Sequence, residues 1–228
     1  VISPFISYWD GNRRGKPMYV GIRDCNIFLE NIDNVRDITA DEKAQWKAEV
    51  TFLKAFYHFW LLRCYGPVAI VDENLPIYTS TEEVKIYREP VDSCISYIVR
   101  TIDEAIPNLP MQLKSETTEL GRITRPIAMA IKAQVLVTAA SPLFNGNTDY
   151  AAMTDNRGVK LFNPVYDANK WKLAMEACKQ AIDTCHVAGY KLFDSYSTRY
   201  KYSDAVLKEF TIRGIVTEKR TPEVIWSA

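Results

Sequence analysis

Thr39-Ala-Asp-Glu-Lys-Ala-Gln-Trp-Lys-Ala-Glu-Val-Thr-Phe-Leu-Lys-Ala-Phe-Tyr-His-Phe-Trp-Leu-Leu-Arg-Cys-Tyr65, closed by Gly66-Pro67, is the stretch on which the reading of this chain turns. It opens with Thr39-Ala-Asp-Glu42, the pattern of a capping box, in which a hydroxyl and a carboxylate satisfy the free amides of a helix start. Gly66-Pro67 supplies the stop. Between these signals Lys43, Lys47, Thr51, Lys54 and His58 make one narrow polar stripe. Phe52, Phe56, Phe59, Trp60, Leu61 and Leu62 fill nearly everything else in the second half. A helix apolar most of the way round sits centrally in its fold, with neighbours on more than one side.

Helical periodicity continues outward in both directions. Before the central helix, Ile22, Cys25, Leu29 and Ile32 share one face of a helix expected over Met18–Asn34. After it comes a connector of extended character, Val68–Pro76. A third helix starts near Pro90, carries Ile95, Ile98, Val99, Ile102 and Ile106 on one face, and ends at Pro107-Asn-Leu-Pro110. Thr124 and Pro126 mark the cap region of a fourth, Ile127–Ala140. Ser141-Pro142 ends it and leads into a long loop, Leu143–Val165. A fifth helix follows, with Trp171, Ala174, Met175, Cys178, Ala181, Ile182 and Cys185 on its expected core face and Gly189 at its end. Further on, a short helix is expected at Ser203–Phe210 and a strand-like segment at Val224–Trp226.

The predicted fold is therefore all-α: antiparallel helix pairs in a tetratricopeptide-like scaffold with long loops and short extended connectors. Alanines mark close helix crossings at Ala128, Ala130 and Ala133 and at Ala174, Ala177 and Ala181. No 34-residue repeat is found, so a regular solenoid is not expected.

Composition limits what such a scaffold does. Lys and Arg number 28, as do Asp and Glu, so the basic excess typical of nucleic-acid binders is missing. No apolar run approaches the ~20 residues of a membrane span. The five cysteines are widely spaced and form no CxxC, and His58 and His186 complete no zinc pattern. The thiols are expected to act as small hydrophobes. Sequences for a nucleophile elbow, a phosphate loop or a zinc protease are missing. The pairs Glu82/Glu83 and Asp103/Glu104 lie on polar segments and read as solvated faces. No catalytic residue, cofactor or metal is assigned. His58 is expected to make structural hydrogen bonds, and Trp46, Trp60 and Trp171 to pack in the scaffold.

Two segments remain as binding candidates. Tyr8-Trp-Asp-Gly-Asn-Arg-Arg14, ahead of the first helix, combines flat aromatic rings with planar polar groups. That is the combination that stacks on a pyranose and bonds its hydroxyls. Tyr8, Trp9, Asp10, Asn12 and Arg13 are the candidate ligand residues, with packing of Trp9 under the scaffold as the alternative. The loop Asn145–Arg157 could touch ligand, a cation or a partner protein.

Several of these segments resemble, in order, the SusD/RagB family. Glu49, Phe52-Leu-Lys-Ala55 and Leu61 through Gly66-Pro67 resemble its "E-x-x-FLRA-x-x-(Y/F)-x-x-L-x-x-x-(Y/F)-G-x-(V/I)-P" signature. Ile22, Asn26, Phe28 and Leu29 resemble its first helix. Gly121-Arg-Ile-Thr124 through Ala139-Ala-Ser-Pro142 is similar to its "G-R-x-T…A-A-S-P" helix, and Thr221-Pro-Glu-Val-Ile225 to its "N-x-E-(V/I)-I" segment. One departure is Ala69-Ile70, where the family typically has Val-Pro. The resemblance implies a single helical domain over residues 1–228 that looks truncated, with the lipobox cysteine and the C-terminal half absent. It also implies a non-enzymatic lipoprotein on the extracellular face of the outer membrane. Such a protein captures a glycan or other nutrient and delivers it to a SusC-type TonB-dependent transporter. Its membrane contact would be an N-terminal lipid anchor not present in this chain. The other reading is a peptide- or protein-binding helical scaffold.

Overall fold

A computed structural model describes residues 7–11, 15–115, 117–193, 202–218 and 221–226. Among these residues the chain forms α1 (Met18–Asn31), α2 (Ala40–Tyr65), α3 (Val91–Ala105), α4 (Arg125–Ala140), α5 (Ala168–Val187) and α6 (Asp204–Thr217), with no strand. One isolated antiparallel bridge joins Thr154 to Lys160. From α1 to α5, each helix packs against the next.

The ends of α2 follow its sequence signals. Thr39 Oγ1 accepts the Glu42 amide at 3.2 Å, and Glu42 Oε2 accepts the Thr39 amide at 3.0 Å. A cap of this kind stabilises a helix by about 1 kcal/mol. At the other end Gly66 takes φ +71° while its amide still reaches Leu62 O. Any residue with a Cβ would be strained there.

Phe52, Phe59, Leu61 and Leu62 of α2 are fully buried between α1 and α3, where they meet Ile22, Ile98 and Ile102. Gly21 of α1 lets the two helices approach, since a Cβ at that position would lie 3.1 Å from the Tyr57 ring. The other crossing is built from alanines: Ala133 of α4 packs with Ala177 and Ala181 of α5.

Lys54 and His58, two members of the polar stripe of α2, are both buried. They serve the connector that crosses α2. An extended segment outside any sheet must find partners for its backbone. Val71 N–H donates to His58 Nε2 at 3.2 Å, and the Tyr19 hydroxyl donates to Ala69 O at 3.1 Å. Lys54 Nζ donates to Asp72 O at 3.1 Å and to Asp72 Oδ1 at 2.9 Å. The Tyr97 hydroxyl completes the group, donating to the same carboxylate at 2.8 Å. Burial alone would raise the Asp72 pKa, but the bonds from Lys54 and Tyr97 outweigh it and hold the carboxyl below its ordinary range.

Four expectations are corrected. Trp171, Met175 and Ile182 are exposed at 44%, 65% and 55%; α5 meets α4 along a face centred on Ala177 and Ala181, which leaves these larger residues outside. Val224–Trp226 is not a strand: Trp226 packs edge-on against Phe56 and donates through Nε1 to Gly121 O. α6 runs seven residues beyond Phe210, to Thr217. Cys64 is exposed, whereas Cys25, Cys94 and Cys185 are buried and Cys178 is half-buried; all five are free thiols.

Candidate functional site

Three segments converge beside the N-terminal end of α1. The first is the turn at Tyr8–Asp10. Tyr8 is fixed at both backbone groups: its amide donates to the Tyr65 hydroxyl at 2.8 Å, and its carbonyl accepts Met18 N–H at 2.8 Å. Its ring stands edge-on to Trp60. The second is Ile86–Glu89, carried past the connector by a bond from Glu89 N–H to Val68 O at 2.9 Å. The third is the middle of the long loop, held by Leu161 N–H to Met153 O and by Val91 N–H to Leu161 O, each 3.0 Å.

Together they line an open cleft of about 530 Å³ whose walls include Trp9, Tyr19, Tyr87, Arg88, Asp155 and Asn156. Trp9 packs against the scaffold and still keeps part of its surface open to the cleft. It stands edge-on to Tyr19 at 5.0 Å and to Tyr65 at 5.6 Å, yet 37% of it stays exposed. Arg88 lies over the Trp9 ring, its guanidinium 5.7 Å from the centroid. Tyr87 is backed in the same way by Arg157, at 4.4 Å.

The carboxylates here are committed. Asp155 Oδ1 accepts the amides of Arg157 at 2.8 Å and Val159 at 2.9 Å, while Oδ2 accepts Arg157 Nε at 2.6 Å. Burial pushes the Asp155 pKa up, but these donors outweigh it and hold the carboxyl below the usual range. Glu89 meets the other side of the same guanidinium at 3.5 Å. Burial raises the Tyr19 phenol to about 12, so it remains a neutral donor, bonded to Ala69 O.

The loop candidate divides into two parts. Met153–Asn156 reaches the cleft. Asn145 does not; it is buried at the loop's base, where Nδ2 donates to Asp167 O at 2.9 Å and Oδ1 accepts Asp167 N–H at 2.8 Å. The segment from 145 to 167 is thus closed by one side chain. Among the described residues no cluster of three or more His, Cys, Asp or Glu is placed to hold a metal. Of the N-terminal candidates, Trp9 lines the cleft; Tyr8 and Asp10 are not among its walls. Asn12 and Arg13 lie outside the described residues. Asn156 belongs to the loop that the sequence offered as a second candidate, whereas Tyr87 and Arg88 were missed by sequence reasoning. Their only signal was an exposed aromatic beside an arginine in a polar connector.

A larger groove of about 810 Å³ runs between α3 and the α4–α5 pair. Most of its charges are paired: Asp92 with Lys170, Asp103 with Lys132, and Glu104 with Arg100. The cleft at Trp9 is the better binding candidate, because it alone joins an exposed aromatic to a guanidinium with no carboxylate partner among the described residues.

Comparison with known proteins gives a consistent picture. The model of a SusD-like family, described as "starch-binding associating with outer membrane", matches residues 9–137. A SusD-like protein of Bacteroides ovatus is 24% identical over 188 residues, 82% of this chain and 29% of its own length. The solved structure of BT4246 is 34% identical and superposes with a TM-score of 0.73, over 87% of this chain and 36% of that one. A solved structure with xylogluco-oligosaccharide, 19% identical with a TM-score of 0.54, shares the fold over 78% of this chain and 30% of its own. The chain thus spans about a third of the length of these relatives.

Proposed function

The chain belongs to the SusD-like family, and on that premise we propose that it captures a glycan at the outer-membrane surface and passes it to a SusC-type transporter. The observation that carries this reading is the cleft at Trp9. A partly exposed indole is held rigidly by two tyrosines, beside an arginine and an asparagine that offer planar donors. An apolar ring face for the pyranose and polar groups for its hydroxyls are what sugar recognition requires. The oligosaccharide in a solved structure of the same fold supports the ligand class.

The reading is of binding without turnover. Glycoside hydrolysis needs two carboxyl groups about 5–10 Å apart across the bond, one able to give up a proton. Asp155 and Glu89 are both tied to Arg157, and Asp155 is held ionised, so neither is poised as the acid. The carboxylates noted in the sequence are also occupied: Glu82 by Lys85 and Glu83 by Ser80. The outer-membrane location rests on the family description; no helix among the described residues is long and apolar enough to cross a membrane. A single helical domain forming the scaffold part of a longer SusD-like protein fits the share of the relatives that is matched.

Titration with starch- and xyloglucan-derived oligosaccharides tests the function, with pull-down of a co-expressed SusC-type transporter for the partner. Saturable binding that leaves the oligosaccharide intact supports it. Binding of peptides and no glycan would replace it with the scaffold reading.

A further inference from the structure

We propose that the glycan taken by this cleft carries an anionic substituent, a carboxylate or a sulfate, and that Arg88 receives it. This rests on the glycan-binding reading above and narrows it to a substrate class.

Among the described residues, Arg88 and Asp155 line the cleft, and Arg157 and Glu89 stand behind them. Arg157 holds both Asp155 and Glu89, at 2.6 Å and 3.5 Å. That leaves Arg88, which is exposed and bonded to no protein acceptor among the described residues; its neighbour is the face of Trp9, 5.7 Å from its Cζ. A guanidinium presents five N–H donors in a planar fork that matches a carboxylate or sulfate edge. Sugar hydroxyls can fill such a fork, but a charged acceptor makes a bond roughly twice as strong.

Placement makes the selection useful. A cation over an aromatic ring is held by the ring's negative face, which fixes it without neutralising it. An anionic group bound to Arg88 would bring the sugar that carries it alongside Trp9. The Tyr19 hydroxyl on the cleft wall is already used on Ala69 O and stays protonated, so it adds no competing negative charge. The whole chain has a formal net charge of zero. Preference for anions would therefore come from this residue rather than from the general field.

The test is a binding panel of immobilised polygalacturonate, alginate, carrageenan, starch and xyloglucan, probed with the protein and with Arg88→Gln, Arg88→Lys and Trp9→Ala. Circular dichroism and thermal midpoints confirm that each variant is folded. The expected result is preferential binding of an acidic glycan, weakened by Arg88→Gln on the order of tenfold to a hundredfold and less by Arg88→Lys. Trp9→Ala should weaken every glycan that binds. Response to polygalacturonate or alginate assigns a carboxylate, and response to carrageenan alone assigns a sulfate. Preference for starch or xyloglucan that Arg88→Gln leaves unchanged overturns the anionic proposal while glycan capture stands. Binding of no member of the panel, or binding indifferent to Trp9→Ala, overturns the cleft reading itself.

Discussion

Arg122, just ahead of α4, reaches across to Glu49 in α2, placing Nη2 3.0 Å from Oε1 and Nε 3.3 Å from Oε2. The same guanidinium holds Glu119 at 3.0 Å, so one side chain ties the loop ahead of α4 to a helix distant in sequence. Hydrogen bonds to charged groups contribute roughly 1.5–3 kcal/mol, and partial exposure places this one at the lower end. Arg122→Ala is expected to lower unfolding stability by about 1–2 kcal/mol. Urea titration should show an earlier midpoint with an unchanged slope. A double-mutant cycle with Glu49→Ala should return a clear coupling energy.

The closure of the long loop depends on Asn145. Its side chain makes both bonds to the Asp167 backbone from a buried position. Asn145→Ala removes both and strands a buried amide, for a cost of about 1–3 kcal/mol. Hydrogen exchange should speed up across residues 145–167 while α2 keeps its protection. Uniform loss of protection would show that the clamp serves the whole fold instead.

His58 makes stability depend on pH. It accepts Val71 N–H at Nε2, so its proton sits on Nδ1, which donates to Lys54 O at 2.8 Å. Burial, the largest cause, lowers its pKa from 6.5 to about 4. Between those values the unfolded chain binds a proton that the folded chain refuses. This contribution is therefore fully present above pH 6.5 and is lost as pH falls toward 4, by about 3 kcal/mol in all. His58→Gln should flatten that part of the profile, measured by denaturant unfolding at each pH. A wild-type profile already flat between pH 4 and 6.5 would refute the assignment.

The α4–α5 crossing rests on alanines at positions 133, 177 and 181. Ala177→Leu, aimed into the contact, should cost about 1–3 kcal/mol through overpacking. Met175→Leu on the exposed side should change the melting temperature little.

These contacts also explain how much could be read beforehand. Helix positions follow from caps, periodicity and Gly-Pro stops, which are local, and the capping box at Thr39 formed as written. The alanine crossing was legible for the same reason. Burial of Lys54 and His58 was not, because it depends on a connector folding back over α2, a contact set by tertiary packing. α5 misled because its apolar residues wrap wider than the edge that α4 covers. Trp9 was identifiable as an aromatic beside polar groups and Asn156 as part of the long loop, while Tyr87 and Arg88 join them only through backbone bonds between segments far apart in sequence.

Glycan binding at Trp9 is open to direct measurement. The most direct measurement is calorimetric titration of the wild-type protein and Trp9→Ala with an oligosaccharide that the wild type binds, with melting curves as the control for folding. Stacking on an aromatic ring is worth on the order of 1 kcal/mol or more, so affinity should fall at least about fivefold with the melting temperature nearly unchanged. Equal affinity in a folded Trp9→Ala variant would contradict the claim and place the sugar elsewhere on the protein.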